Sequence, residues 1–169
     1  MLKLEFPNKK HKTAYEDMMK EWKQKEHTPT SPWMLFKGNN YKEFLEIVTQ
    51  DTVNSIRWVN SHLFFLTNND NEILWSIQIR HHINHPRLKV RWWHIGYWIK
   101  PSARWKWYAT EMLRLWLLEA KDLSISKVLI TCYSDNLASR RVIEKNGWKF
   151  EKEIEFEWEK INRYWIKIK

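Results

Sequence analysis

Apolar positions recur along the chain with two periods, and the points where one gives way to the other mark out the elements. Residues 1–6 alternate as a short strand that Pro7 ends. Over residues 13–25, Ala14, Tyr15, Met18, Met19 and Trp22 fall three and four apart, which predicts a first helix. Residues 27–32, rich in proline and hydroxyls, read as a loop. Asn40 with Glu43 three residues later then forms a capping pair for a second helix carrying Phe44, Leu45 and Val48. Residues 62–67 and 73–81 alternate as two strands around Asn68-Asn69-Asp70-Asn71, the pattern of a hairpin. The segment 85–93, HPRLKVRWW, reads as a loop or short helical turn.

From Trp93 the pattern runs strand, turn, helix within one short stretch. His94, Gly96, Trp98 and Lys100 alternate with Ile95, Tyr97 and Ile99 until Pro101 and Ser102 stop the strand. Ala109, Met112, Leu113, Trp116, Leu117 and Ala120 then follow a helical period, starting just after the basic segment Arg104-Trp105-Lys106-Trp107. Residues 127–133 are a fifth strand. Asp135 or Asn136 caps a helix with Ala138, Val142 and Ile143 on its apolar face, and Gly147 takes the position after its end. Residues 149–169 alternate as two strands about Trp158, with Phe150, Ile154 and Phe156 before it and Ile161, Tyr164, Ile166 and Ile168 after.

A basic loop feeding a helix N-terminus is a ready anion site, because free backbone N–H groups and the helix dipole add to the charges of Arg104 and Lys106. A phosphate or pyrophosphate is the natural ligand. A solvated surface turn has the same local pattern.

At these residues, WHIGYWIKPSARWKWYATEML, the chain resembles the GNAT N-acetyltransferase superfamily. The resemblance extends to KVLITCYSDNLASRRVIEKNGWKF (127–150) and IQIRHHIN (77–84), and so covers most of the chain from about residue 60. It implies an α+β fold with a mixed central sheet of about seven strands, about four flanking helices, and a V-shaped splay between the fourth and fifth strands. It also implies one domain over residues 1–169. The order strand, two helices, three strands, helix, strand, helix, two strands agrees with that fold.

The resemblance also implies chemistry: acetyl-CoA as co-substrate, a primary amine of a small molecule or protein as acceptor, and no metal. The family's acetyl-CoA signature, Q/R-x-x-G-x-G/A, has Arg104 first and Ala109 last, but Trp107 at its central glycine. Arg104, Trp105, Lys106, Trp107, Tyr108, Ala109 and Thr110 are the expected pyrophosphate segment. Backbone N–H groups near Trp98 and Ile99 are expected to face the thioester carbonyl and pantetheine arm, and Asn136 and Ser139 to contact CoA. His94 stands where related enzymes often carry Glu and is the expected general base, its neutral imidazole having a suitable pKa near neutrality. The family's Tyr acid falls at Ile143, which leaves Tyr133 as a weaker substitute. Arg80, His81 and Asn84 are candidates for the acceptor side, a solvated strand end being the alternative.

Composition alters this picture at one point. The chain has 13 Trp and only 3 Gly in 169 residues, where ordinary usage gives about 12 Gly. In the resembling family glycine is usual or common at the positions of Trp75, Trp92, Trp93, Trp98, Trp105, Trp107, Trp148 and Trp158. Replacing those eight would bring glycine close to the ordinary number. The tryptophans are therefore read as glycine codons (UGA in a code where UGA specifies Gly) translated as Trp. Trp22 and Trp165, on apolar periods of their own segments, are read as native. A tryptophan-rich natural or engineered chain is the alternative.

The remaining composition sets bounds on the class. There is no apolar run long enough for a membrane span, and the first residues lack the apolar centre of a signal peptide, so a cytoplasmic protein without membrane partners is expected. The lone Cys132 excludes an internal disulfide and offers no metal-site spacing. The net charge of +9 suits any anionic partner. Nucleic acid is the less expected one, since basic aromatic segments explain Trp105 and Trp107 but not the wider resemblance. A GNAT-fold acyl-CoA-binding protein without turnover is the other alternative, and a homodimer is left open.

Overall fold

The computed structural model describes residues 2–25, 38–55, 59–84, 94–103 and 108–168. It contains β1 (Lys3–Glu5), α1 (Lys12–Lys25), α2 (Tyr41–Val53), β2 (Ser61–Thr67), β3 (Ile73–Arg80), β4 (Ile95–Ile99), α3 (Tyr108–Asp122), β5 (Lys127–Tyr133), α4 (Leu137–Lys145), β6 (Lys149–Phe156) and β7 (Glu159–Lys167). Short 3-10 turns precede α1 (Lys9–His11) and follow β4 (Pro101–Ala103). The strands form a four-stranded sheet, β1-β2-β3-β4, and a three-stranded sheet, β5-β7-β6. β4 and β5 are thus terminal strands of different sheets, and the strand ladder divides between the fourth and fifth strands as expected. The segments 27–32 and 85–93 lie outside the described residues. No described helix is long and apolar enough to cross a membrane.

The chain divides into two compact units. The first holds Met1–Ile79 and Gly96–Lys106. Its core joins one face of α1 (Tyr15, Met18, Met19, Trp22) to Tyr41, Phe44 and Val48 of α2 and to Leu63, Phe65 and Ile73 of the sheet. These are the positions at helical spacing, and Phe44 stacks on Phe65 with ring centroids 6.0 Å apart. Asn40 caps α2 by accepting from the Glu43 N–H (3.0 Å), and the Glu43 carboxylate reaches back to the Asn39 N–H (2.8 Å). β1 pairs antiparallel with β2.

The second unit holds Arg80–Ile95 and Trp107–Lys169. β7 lies between β5 and β6 and is antiparallel to both. Met112, Leu113, Trp116 and Ala120 form the buried face of α3, while Ile143 is the buried residue of α4. Asn136, not Asp135, caps α4, its Oδ1 accepting from the Ser139 N–H (3.0 Å). Gly147 follows the helix at φ +84°, a conformation in which L side chains are strained. Phe150, assigned to an apolar face by alternation, is instead 57% exposed, on the edge strand β6.

The tryptophans divide into distinct settings. Trp22 is a core residue of α1, and the ring of Trp165 lies 4.2 Å beneath the Lys127 ammonium. Trp158 is 96% exposed at the β6–β7 turn with φ +71°, next to Glu157 at +47°. Two successive positive φ values are the geometry of a hairpin turn that favours Asn-Gly or Gly-Gly. Trp158→Gly is therefore expected to stabilise the chain by about 1 kcal/mol, the usual cost of a left-handed L-residue. A denaturation midpoint that does not rise would contradict this. Trp75 and Trp148 are buried, and each indole Nε1 lacks a hydrogen-bond partner. Buried N–H groups in that state carry a desolvation cost.

Candidate active site

His94 stands one residue ahead of β4, buried, and belongs to the second unit. Three bonds fix it there. Its C=O accepts from the Arg80 N–H (2.7 Å), its N–H donates to the Leu129 C=O (3.0 Å), and its Nδ1 accepts from the Leu129 N–H (2.9 Å). Main chain and side chain of one residue thus bond both backbone groups of Leu129, the third residue of β5. With Nδ1 accepting, the neutral ring carries its proton on Nε2. Burial, aided by the charges of Arg80 and His82 and opposed by the Leu129 hydrogen bond, pushes the pKa of His94 down to about 4. The near-neutral titration expected from sequence is corrected accordingly. The lone pair that a general base would use is held by the Leu129 N–H.

Arg80 ends β3 and is 5% exposed, so it is not a solvated strand end; burial lowers its pKa to about 10. His81 follows half-buried, while Asn84 is exposed. Tyr133, at the far end of β5 from the His94 contact, is 47% exposed. Four residues of strand separate it from Leu129, about 13 Å at the usual rise. Cys132 is buried, which pushes its thiol pKa up to about 11 and leaves it an inert core residue in character.

The helix expected after the basic segment is present. α3 starts at Tyr108, and Tyr108, Ala109 and Thr110 are half-exposed in its first turn. The first N–H groups of a helix have no partner within it. The acidic residue of that turn, Glu111, is paired with Arg114 through two bonds of 2.8 and 2.9 Å, which lowers its pKa. Its charge is thereby offset at the helix end, and these residues suit an anion such as a pyrophosphate. The Asn146 side chain braces the same turn by donating to the Thr110 C=O (3.2 Å). Asn136 and Ser139 meet each other at the start of α4 through the capping bond already described. Arg104, Trp105, Lys106 and Trp107 lie outside the described residues, as do the side chains of Trp98 and Ile99, whose backbone forms the end of β4.

Sequence reasoning gave no role to Lys100, Glu21 or Ser102, which the first unit brings together at the exit of β4. Ser102 directly precedes the basic segment by two positions, but nothing in sequence pairs it with a residue of α1.

The order of these elements, with a four-stranded and a three-stranded sheet and four α-helices among the described residues, is that of an acetyltransferase class of fold. A family model describing the acetyltransferase (GNAT) domain matches residues 3–149, and the chain belongs to that family. No curated protein gives a significant match. Among solved structures, the chain is similar to RimL, a ribosomal L7/L12 alpha-N-protein acetyltransferase in complex with coenzyme A. That match has 19% identity and a TM-score of 0.67, covering 99% of this chain and 94% of that one. An N-acetyltransferase from Staphylococcus aureus Mu50 matches at 15% identity and TM-score 0.66, covering 100% and 99%. Mutant forms of the spermidine/spermine N-acetyltransferase SpeG from Vibrio cholerae match at 13% identity and TM-score 0.65, covering 99% and 95%. At these identities the likeness is one of fold.

Proposed function

We propose that the protein transfers an acetyl group from acetyl-CoA to a primary amine. The observation that carries this is the family match over residues 3–149, together with a basic segment that leads directly into the first turn of α3. Acetyl-CoA supplies the acetyl group as a thioester. The backbone over 104–109, with Thr110 at the helix start, holds the pyrophosphate. Backbone N–H groups near Trp98 and Ile99 orient and polarise the thioester carbonyl, and Asn136 and Ser139 contact CoA. The amine nitrogen bonds to the carbonyl carbon, the C–S bond breaks, and the thiolate takes a proton, for which exposed Tyr133 is the proposed donor. The amine's proton passes to solvent. His94 serves as a positioning residue bonded to Leu129 of β5, and Arg80, His81 and Asn84 are assigned to the acceptor side.

The eight tryptophans at family glycine positions are proposed to be glycines in the natural protein. The positive φ of fully exposed Trp158 supports this, and so does the contrast with the well-accommodated Trp22 and Trp165. The unpaired indoles of Trp75 and Trp148 do not discriminate, since Trp116, on the apolar period of α3, shares that feature. The gene should read UGA at most of positions 75, 92, 93, 98, 105, 107, 148 and 158, and UGG at 22 and 165. UGG throughout would rule the idea out. Trp107, taken literally, favours a second reading, an acyl-CoA-binding protein without turnover. Thiol release from acetyl-CoA, with an acetyl adduct detected by mass spectrometry across a panel of primary amines, tests the first reading. Binding without any adduct would leave the second.

A further inference from the structure

Asn146 caps the C-terminal end of α4 and is half-buried. Its N–H donates to the Val142 and Ile143 C=O groups (3.3 and 3.2 Å). Its side-chain Nδ2 donates to the Val142 C=O (2.9 Å) and, across to the neighbouring helix, to the Thr110 C=O (3.2 Å). The two hydrogens of one amide are thus divided between the last turn of α4 and the first turn of α3. Gly147 then turns the chain at φ +84°, and its N–H donates to the Glu144 C=O (2.9 Å). All of these residues belong to the second unit.

Two consequences bear on an anion at the start of α3. The first N–H groups of α3 carry partial positive charge, and the last carbonyls of α4 carry partial negative charge. The Asn146–Thr110 bond sets these opposite ends side by side, so an uncapped α4 would repel a phosphate bound at α3. Asn146 meets the carbonyls of Val142 and Ile143 with donors, and Gly147 meets that of Glu144. The second consequence is one of spacing. α4 begins at Asn136 and Ser139 and is nine residues long, about 14 Å at the usual rise. A single amide therefore fixes the helix that carries Asn136 and Ser139 against the turn that carries Tyr108, Ala109 and Thr110.

Capping α4 requires only bonds to that helix's own carbonyls; the donation to Thr110 is additional. We infer that Asn146 is a positioning residue that holds the first turn of α3 against the capped end of α4 and thereby sets affinity for the phosphates of acetyl-CoA. This rests on the assignment of Tyr108, Ala109 and Thr110 to acetyl-CoA made above.

The test uses the full chain with the residues its gene specifies. Calorimetry gives CoA affinity, steady-state rates give kcat and the KM for acetyl-CoA, and thermal melting reports folding. Asn146→Ala should weaken CoA binding about tenfold, as displaced binding groups do, and raise the KM for acetyl-CoA in proportion while kcat at saturation is unchanged. Asn146→Asp keeps the size of the side chain but has no amide N–H to donate, and it places a negative charge beside the anion. It should lose more affinity than Asn146→Ala, and its deficit against the unsubstituted chain should shrink as salt is raised. Should Asn146→Ala not fold, Asn146→Asp and its salt dependence carry the test. Folded variants that melt lower yet bind CoA as the unsubstituted chain does would overturn the inference, as would a fall in kcat with KM unchanged. Absence of CoA binding by the unsubstituted chain is a different result, which overturns the proposed function itself.

Discussion

Trp107→Gly should tighten acetyl-CoA binding by about 100-fold, the equivalent of two charge-assisted N–H bonds of about 1.5 kcal/mol each. Position 107 immediately precedes α3 in the sequence, and the first N–H groups of a helix have no partner within it. Close approach of a phosphate to that backbone favours a residue without a side chain. Arg104 and Lys106 are basic, and the Glu111 carboxylate is paired with Arg114. Trp22→Gly is the contrasting substitution, since that indole is part of the first unit's core. It should destabilise the fold by about 4 kcal/mol, as large-to-small core changes do. Calorimetric titration of Trp107→Gly beside the unsubstituted chain decides the matter, and equal affinities would remove position 107 from the site.

His94→Ala should destabilise the second unit by about 3 kcal/mol, because it leaves the Leu129 N–H without its acceptor and opens a cavity. The pH dependence gives a sharper reading. The folded pKa of His94 is lowered from 6.5 to about 4, so between those values the unfolded chain binds a proton that the native ring does not. Its contribution is complete above about pH 6.5 and is lost as the pH falls towards 4, up to about 3 kcal/mol in all. His94→Asn retains an oxygen able to accept the Leu129 N–H and does not titrate there. Its melting temperature should fall less steeply over that range, while His11 and His62, whose pKa values burial also lowers, keep their own share. The pH profile of kcat above pH 6.5 should be the same in both proteins. Loss of a near-neutral ionisation in folded His94→Asn would instead restore a general-base role.

Most of the fold was legible because its elements follow one strong period each. Residues 127–133 read as a strand at the same bounds as β5, the buried residues of α3 are four of those at helical spacing, and Asn40 and Gly147 mark helix ends through their own chemistry. Where burial depends on the neighbouring strand the pattern was less informative. β3 is buried throughout although Ser76, Gln78 and Arg80 alternate with apolar residues. At the site, sequence spacing located the basic segment and the start of α3. It could not supply the partners that change a residue's chemistry. Leu129 is 35 positions from His94, and Ser102 is 81 from Glu21. His94, chosen as a base for its ordinary pKa, lies buried with its Nδ1 accepting from Leu129, and Lys100, at the strand end, meets Glu72 and Glu21.

Equilibrium titration of acetyl-CoA into the full chain, carrying the residues its gene specifies, tests the central claim most directly when run beside single-stranded nucleic acid. Saturable binding of acetyl-CoA at one site, displaced by CoA and unaffected by the nucleic acid, is the expected result. Nucleic-acid binding with no detectable affinity for acetyl-CoA would contradict it.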